Sequence, residues 1–347
     1  MRRLPIVVLV VLLVSALLVG CGGGEVQEPE EQQEQEAGDQ AEVVKTGLAV
    51  QTVLNKSADA GENPGLAQTD STVVAVMVDG NDKIIKCVIE AVQSKINFDE
   101  NGEVTTPVDT MFLTKTELGD EYGMRVASDI GREWDEQAAS LAEYVEGKTL
   151  DEIKAIAVDE GSYPTDSDLT ATVTMAIGGY LDTLETAVAQ AQELGASASD
   201  ELSIGVTTTM KNSVSAEDDK PGLAEAYSTY VAITKDAEDK ITSCVVDSSQ
   251  GKVNFDTSGK ITSDIEGRVK SKKELGDDYG MRGTSDIGKE WDEQANAFAE
   301  YVTGKTPSEV AGIAVDDEGH PTDSDLTSSV TMAIGDLQSA LAKAAEK

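Results

Sequence analysis

Basic side chains and metal-binding side chains are both scarce in this chain. Its 347 residues hold 27 Lys and Arg against 65 Asp and Glu, a formal charge of −38. Nucleic acid and anionic lipid head groups are therefore disfavoured as partners, because the protein would repel both. One His and three Cys exclude a zinc finger, a haem His pair and a thiolate cluster. Since aromatics make up only 4% of the residues, we expect a core of small aliphatic side chains.

The first residues have the pattern of an export signal. Arg2 and Arg3 precede an apolar run over residues 4–19, which is followed by Gly20 and Cys21. We predict a signal peptide at 1–20, since the run is short for a membrane span. The segment ending at Cys21 resembles the bacterial lipobox. That resemblance implies a lipid on Cys21 and an anchor at the extracytoplasmic face of the cell membrane. An ordinary signal peptide with a chance Cys is the alternative.

An acidic segment follows the predicted signal. Residues 25–42 are rich in Glu and Gln and contain no aromatic residue. Such a composition cannot bury enough apolar surface to fold. We predict a disordered tether at 21–44 that lifts the folded part off the membrane.

The rest of the chain consists of two copies of one sequence unit. Pro64-Gly-Leu-Ala67 recurs as Pro221-Gly-Leu-Ala224, and Tyr122-Gly-Met-Arg125 recurs as Tyr279-Gly-Met-Arg282, each 157 residues later. A unit of this length exceeds the 20–50 residues of a solenoid repeat. The sequence therefore predicts two homologous domains, at 45–195 and 200–347, joined by a short linker.

Each unit begins with strand-like runs and ends with helical ones. Residues 72–78 and 84–92 are β-branched and flank a Gly-Asn-Asp turn. Ser128 is placed to N-cap a helix that carries Trp134 on its apolar face. Capping boxes begin at Thr149 and Thr306. We predict an α+β fold in which each domain is a small antiparallel sheet packed with helices.

Acids and hydroxyls converge at one predicted helix start in each copy, over residues 166–175 and 323–332. The backbone N–H groups of a helix start favour an anion such as phosphate. Carboxylates there could also hold a divalent cation for a surface hydrolase. Plain N-capping is the third interpretation, and it is the commonest role of Asp, Ser and Thr at such positions.

The same stretch resembles the attachment motif of the FMN-binding domain family. That motif runs Asp, two variable residues, Ser/Thr-Gly-Ala-Thr, a variable residue and Thr/Ser. Aligned on Asp166, the hydroxyl that accepts FMN falls on Thr172, and in the second copy on Ser329. Leu-Thr stands where the family has Ser/Thr-Gly, so Thr174 and Thr331 are the alternative acceptors.

The cofactor site predicted from this resemblance includes more than the hydroxyls. Arg125 and Arg282 either contact the phosphate of the cofactor or belong to internal ion pairs. Trp134 and Trp291 either stack on the flavin or pack in the core, and their helical spacing favours the core. The remaining predicted site residues are acids and arginines: Asp166, Asp168, Asp323, Asp325, Arg125 and Arg282.

The whole architecture is similar to that of two-domain flavinylated surface lipoproteins of extracellular electron transfer. In those proteins a separate flavin transferase joins FMN to Thr or Ser through a phosphoester bond. The resemblance implies an electron carrier between a membrane redox donor and an extracellular acceptor, rather than an enzyme with its own substrate. A covalent link would also hold anionic FMN on a strongly acidic protein. The alternative is a cofactor-free binding or structural surface lipoprotein.

Overall fold

A computed structural model describes residues 43–347. The predicted signal peptide, the lipid-attachment residue Cys21 and the predicted tether up to residue 42 lie outside the described residues. Between residues 43 and 347, no helix is both long and apolar enough to cross a membrane.

The first repeat builds its sheet from three long strands. They are β1 (Val44–Val53), β2 (Gly65–Asp79) and β3 (Ile84–Phe98), paired antiparallel in chain order. The predicted β-branched runs lie inside β2 and β3. Asp82 at the predicted turn has a positive φ of 58°, which Asp tolerates better than most residues.

The second repeat forms the same meander from β4 (Glu201–Thr209), β5 (Gly222–Lys235) and β6 (Ile241–Phe255). A short strand, β7 (Arg268–Val269), leaves this repeat and pairs antiparallel with β1 of the first. The sheet orders are thus β3-β2-β1-β7 and β4-β5-β6. These antiparallel sheets with their helices confirm the predicted α+β class.

Five α-helices follow the sheet in each repeat. Both predicted capping boxes, at Thr149 and Thr306, are present. The helices are α1 (Lys115–Leu118), α2 (Trp134–Val145), α3 (Leu150–Lys154), α4 (Ser167–Thr170), α5 (Gly178–Ala189), α6 (Lys272–Leu275), α7 (Trp291–Val302), α8 (Pro307–Ala311), α9 (Ser324–Thr327) and α10 (Gly335–Ala345).

The predicted N-cap at Ser128 is wrong. Helix α2 begins at Trp134, and Glu133 is its N-cap in a reciprocal capping box with Glu136. Residues 128–131 instead form a turn closed by a hydrogen bond from Gly131 N to Ser128 O. Ser is a favoured N-cap residue and Glu is not, so the sequence pointed to Ser128 instead of Glu133.

Helices cover one face of each sheet. In the first repeat, Val74 and Val76 of β2 pack with Trp134 of α2 and Leu184 of α5. The second repeat has an equivalent core, in which Val231 packs with other buried residues such as Trp291, Phe298 and Leu341.

The other faces of the two sheets pack against each other. Val73 and Ala75 of the first repeat share a buried cluster with Ile204, Tyr230 and Ala232 of the second. The order of layers is therefore helices, sheet, sheet, helices, and residues 43–347 form one compact unit. Since successive side chains point to opposite faces, every residue from Val73 to Val78 is buried.

Hydroxyl groups and one aromatic pair join the sheets across this contact. Thr46 Oγ1 lies 2.8 Å from Ser243 Oγ, and Thr52 Oγ1 donates to Ser249 Oγ at 3.1 Å. The rings of Phe98 and its repeat equivalent Phe255 stack with centroids 4.1 Å apart. Phe98 and Phe255 thus bring one pair of equivalent positions together at the contact between the sheets.

Three glycines allow close approach in these layers. A Cβ at Gly47 would overlap the carbonyl oxygen of Ala187 in α5, and Gly205 has the same relation to Ala340 in α10. At the contact between the sheets, a Cβ at Gly251 would overlap the side chain of Thr69.

We predict that Gly205→Ala destabilises the protein, because neither β4 nor α10 can move without opening the core. The expected loss in the free energy of unfolding is about 1–3 kcal/mol, measured by urea denaturation. Gly61→Ala is the matched control, since a Cβ there meets nothing within 4 Å. Equal effects of the two substitutions would refute the close-packing argument.

Candidate functional site

The two predicted helix starts are well-formed N-caps. Asp166 accepts a hydrogen bond from Asp168 N at 2.8 Å and Asp323 accepts one from Asp325 N at 2.9 Å. Each helix is a single turn, α4 or α9; Asp166, Asp168 and Asp325 are exposed, and Asp323 is half-buried. Capping accounts for the hydrogen bond of Asp166, and Asp323 accepts a second hydrogen bond, from Tyr301 Oη at 3.0 Å.

The two candidate acceptors of each motif differ in their surroundings. Thr172 is half-buried, and its hydroxyl donates to the carbonyl oxygen of Leu169 at 3.2 Å. Ser329 makes the equivalent bond to Leu326 at 3.2 Å. Thr174 is also half-buried; its hydroxyl donates to Gln137 Oε1 at 3.4 Å, and the residue borders an open cleft.

A fully buried amide holds the second candidate acceptor in place. Gln137 of α2 accepts hydrogen bonds on Oε1 from Thr174 N at 2.8 Å and Met175 N at 3.2 Å. Its Nε2 donates to Ser128 Oγ and to Arg132 O, both at 3.2 Å. The side chain therefore ties the acceptor loop to the loop before α2.

The second repeat repeats this clamp through Gln294, which bonds Thr331 N at 2.8 Å and Ser285 Oγ at 3.2 Å. Neither glutamine was predicted as a site residue from the sequence. The available signal was a Gln retained in both copies on the apolar face of a predicted helix, where a buried polar group needs partners.

The predicted arginines lie in ion pairs at the surface. The Arg125 guanidinium contacts Asp120 at 2.7 Å and Glu136 at 3.0 Å. Arg282 contacts Asp277 and Glu293 at 2.7 and 2.8 Å. These contacts agree with the ion-pair interpretation of the two arginines, and each side chain is about half exposed.

A buried carboxylate anchors the loop that carries each arginine. Glu133 accepts from the backbone N–H groups of Met124 and Arg125, both at 2.8 Å. Glu290 does the same for Met281 and Arg282. Desolvation would raise the pKa of Glu290, but these N–H donors outweigh it and hold the pKa below its ordinary value.

A cleft of about 910 Å³ opens beside Thr174 in the first repeat. Its walls carry four aromatic side chains, two lysines, and residues of both loops joined by Gln137. The aromatic and basic lining residues are Tyr122, Trp134, Tyr163, Tyr180, Lys56 and Lys115.

The aromatic side chains of the cleft are held by polar contacts. Trp134 Nε1 donates to Tyr180 Oη at 2.9 Å, and Lys115 Nζ lies 4.6 Å from the Tyr122 ring centroid. Trp134 is only 2% exposed, and Trp291 4%, which confirms core packing as their main role. The tyrosines therefore provide the accessible ring surface.

Two polar residues that line the cleft, Lys56 and Gln93, both contact the carboxylate of Asp70 next to it. Asp70 Oδ2 lies 2.8 Å from Lys56 Nζ, and Gln93 Nε2 donates to Asp70 Oδ1 at 2.9 Å. Burial raises the pKa of Asp70, but Lys56 and the amides of Gln93 and Gln68 outweigh it, so the pKa is lowered.

A buried acid in each repeat holds the short helix that carries Lys115 or Lys272. Glu90 in β3 accepts hydrogen bonds from the hydroxyls of Thr114 and Thr116, both at 3.0 Å, on either side of Lys115. Its repeat equivalent is Asp247, which accepts from Lys273 N at 3.1 Å. Burial raises the pKa of Asp247 to about 6.

Metal ligands and thiols are the remaining reactive side chains of the described residues. Within the described range 43–347, no group of three or more His, Cys, Asp or Glu side chains is arranged to hold a metal ion. Cys87 and Cys244 are free and buried, as expected for small apolar residues. Burial raises the pKa of both thiols.

Comparisons with known proteins leave the family open. No protein-family model matches the chain. No solved structure matches it. Chlorophenol reductase from Desulfitobacterium hafniense is 55% identical to this chain over 40 residues. The matched segment is 12% of this chain and 12% of that protein, so the likeness is local. The resemblance to the FMN-binding family stays a prediction.

We predict that Gln137→Leu releases the acceptor loop of the first repeat. The backbone N–H groups of Thr174 and Met175 would lose their acceptor, at a cost of about 1–3 kcal/mol for each buried donor left unpaired. Hydrogen exchange of residues 172–176 should accelerate. The segment 329–333, which Gln294 holds, is the internal control, and equal acceleration in both segments would contradict a local clamp.

We predict that Asp247 makes the protein less stable at neutral pH than in mild acid. Its pKa rises from an ordinary value of about 3.9 to about 6 in the folded protein. The folded state therefore binds the proton more tightly, and this stabilisation, full below pH ~4, is lost as the pH rises through about 6.

The measurement is urea unfolding at several pH values between 4 and 7. Relative to Asp247→Asn, the wild-type protein should lose about 2 kcal/mol across that range. Asp109→Asn, at an exposed position, should follow the wild-type profile. Parallel profiles for wild type and Asp247→Asn would show that burial does not shift this carboxyl.

Proposed function

We propose that this protein is a lipid-anchored extracytoplasmic electron carrier that bears covalently attached FMN. The observation that carries the proposal is the Thr174 hydroxyl at the wall of an aromatic cleft, inside a motif that resembles the FMN-attachment motif. In the second motif Thr331 corresponds to Thr174, and Ser329 corresponds to Thr172, the other candidate acceptor.

The residues of the first repeat fit a flavin. The cleft, at about 910 Å³, lies within the range of about 300–1,000 Å³ that is usual for small-molecule sites. Tyrosines offer flat apolar surface to a ring system, and they hold it in offset or edge contacts. Lys115 supplies positive charge in a protein that otherwise repels an anionic cofactor, whereas Lys56 is ion-paired with Asp70.

Attachment would need a donor with a good leaving group, such as a flavin dinucleotide presented by a separate flavin transferase. The threonine oxygen forms a bond to the flavin-bearing phosphorus, and the phosphoanhydride bond to the leaving nucleoside monophosphate breaks. The hydroxyl proton passes to a base or to water. The product is a phosphoester between FMN and the side chain.

The bound flavin would supply the redox chemistry, which the side chains of this chain lack. The residues of the chain would bind the flavin and orient it. Gln137 fixes the backbone at Thr174 and Met175, the tyrosines exclude water from one side of the ring, and the ion-paired arginines stabilise the neighbouring loops. A lipid on Cys21 and an acidic tether would keep the carrier between a membrane donor and an extracellular acceptor.

One specific observation favours a cofactor-free binding or structural lipoprotein instead. Both helix starts are complete as caps, and the hydroxyls of Thr172 and Ser329 already donate to carbonyl groups. A purely structural motif would show the same contacts. The presence or absence of a covalent flavin decides between the two functions.

The test is flavin fluorescence of the denatured protein in a gel, after co-expression with a transferase shown to be active on a control substrate. We expect a fluorescent band that survives denaturation, with peptide mass spectrometry locating the flavin. Thr172→Ala and Thr174→Ala separate the two candidate acceptors of the first repeat, and Ser329→Ala and Thr331→Ala those of the second.

Thr170→Ala is the matched control, because Thr170 is an acceptor in neither alignment. Loss of first-repeat flavin with only one of the two acceptor substitutions would identify the site. A dark wild-type band beside a labelled control substrate would refute the proposal and favour the cofactor-free function.

A further inference from the structure

The frame of the aromatic cleft is the same in both repeats. Lys115, Tyr122 and Trp134 correspond to Lys272, Tyr279 and Trp291, each 157 residues later. The lysine nitrogen lies 4.6 and 5.2 Å from the two ring centroids in the first repeat, and 4.5 and 5.0 Å in the second.

One strand position beside this frame differs between the repeats. Asp70 of β2 pairs with Gln93, and the equivalent Tyr227 of β5 pairs with Gln250 in the same register. The short Asp70 side chain contacts Lys56 and Gln93, which line the cleft, and does not itself line it. Tyr227 instead places a ring against the lysine, with its hydroxyl 2.7 Å and its centroid 4.6 Å from Lys272 Nζ.

Lys115 and Lys272 differ in burial, as this exchange of Asp70 for Tyr227 would produce. Lys115 is half-buried and borders the cleft. Lys272 is only 4% exposed, enclosed by three aromatic rings, and burial lowers its pKa to about 8. Space that is open beside the lysine of the first repeat is therefore filled in the second.

A second residue difference between the repeats also removes part of the cleft lining. Tyr180, which bonds Trp134 and borders the cleft, corresponds to Leu337, which is 3% exposed in the core of the second repeat. The second repeat thus lacks one aromatic side chain that borders the cleft of the first. Beside Lys272 it has the ring of Tyr227 instead.

We infer that the two repeats are unequal as binding sites: the first binds a planar heteroaromatic ring in its cleft, whereas Tyr227 blocks the equivalent place in the second. That the ring is a flavin isoalloxazine rests on the proposed function; the inequality rests on the contacts above. A flavin linked to the second repeat would keep its ring at the surface in contact with solvent.

The experiment is equilibrium dialysis of riboflavin against the chain from residue 21 onward, made with Cys21→Ser and without a flavin transferase. Riboflavin carries the ring but no phosphate, so it cannot be linked. We expect one saturable site per chain. Asp70→Tyr should weaken it at least tenfold, and Tyr227→Asp should add a second site.

Asp109→Tyr, at an exposed position, is the control for adding a tyrosine, and thermal unfolding of each variant checks that it folds. Two equal sites in the wild type, no saturable site, or a site unchanged by Asp70→Tyr would each overturn the inference. The outcome is independent of the gel assay: one riboflavin site with no covalent flavin would refute the proposed function and leave the inequality standing.

Discussion

The contact between the two sheets is the constraint on which the rest of the molecule depends. Each sheet is buried on both faces, by helices outside and by the other sheet inside. The inner faces combine apolar residues with paired hydroxyls, and every buried hydroxyl needs a partner to offset its desolvation. Thr46 of the first repeat finds its partner in Ser243 of the second, which also contacts Thr234 within its own repeat.

Because the sheets are fixed in this way, the outer elements have firm supports. Helix α2 packs on β3, and from this support Gln137 reaches the acceptor loop while Glu133 reaches the loop before the helix. The cleft therefore lies between two loops that are both anchored to a single helix. A binding site supported by buried side chains on regular elements keeps its shape without a ligand.

Local features of this fold followed from the sequence, but contacts between distant segments did not. The β-branched runs predicted strands in β2 and β3, and Thr149 and Thr306 predicted their helix starts. The face-to-face contact of the repeats was hidden, because a long duplicated unit suggests two separate cores. Of the site, the motif and its caps were predictable. The cleft was not, since Lys56, Tyr122 and Tyr180 come from distant parts of the chain.

The small contact between Thr69 and Gly251 has a consequence for how the repeats recognise each other. The equivalent positions are Ala226 and Ser94, so the duplicated pair is Thr with Gly in one place and Ala with Ser in the other. Two copies of the first repeat would oppose Thr69 to Ser94, whose side chain needs the space that Gly251 leaves free. The sequence difference thus favours pairing between unlike repeats and disfavours exchange between two chains through their first repeats.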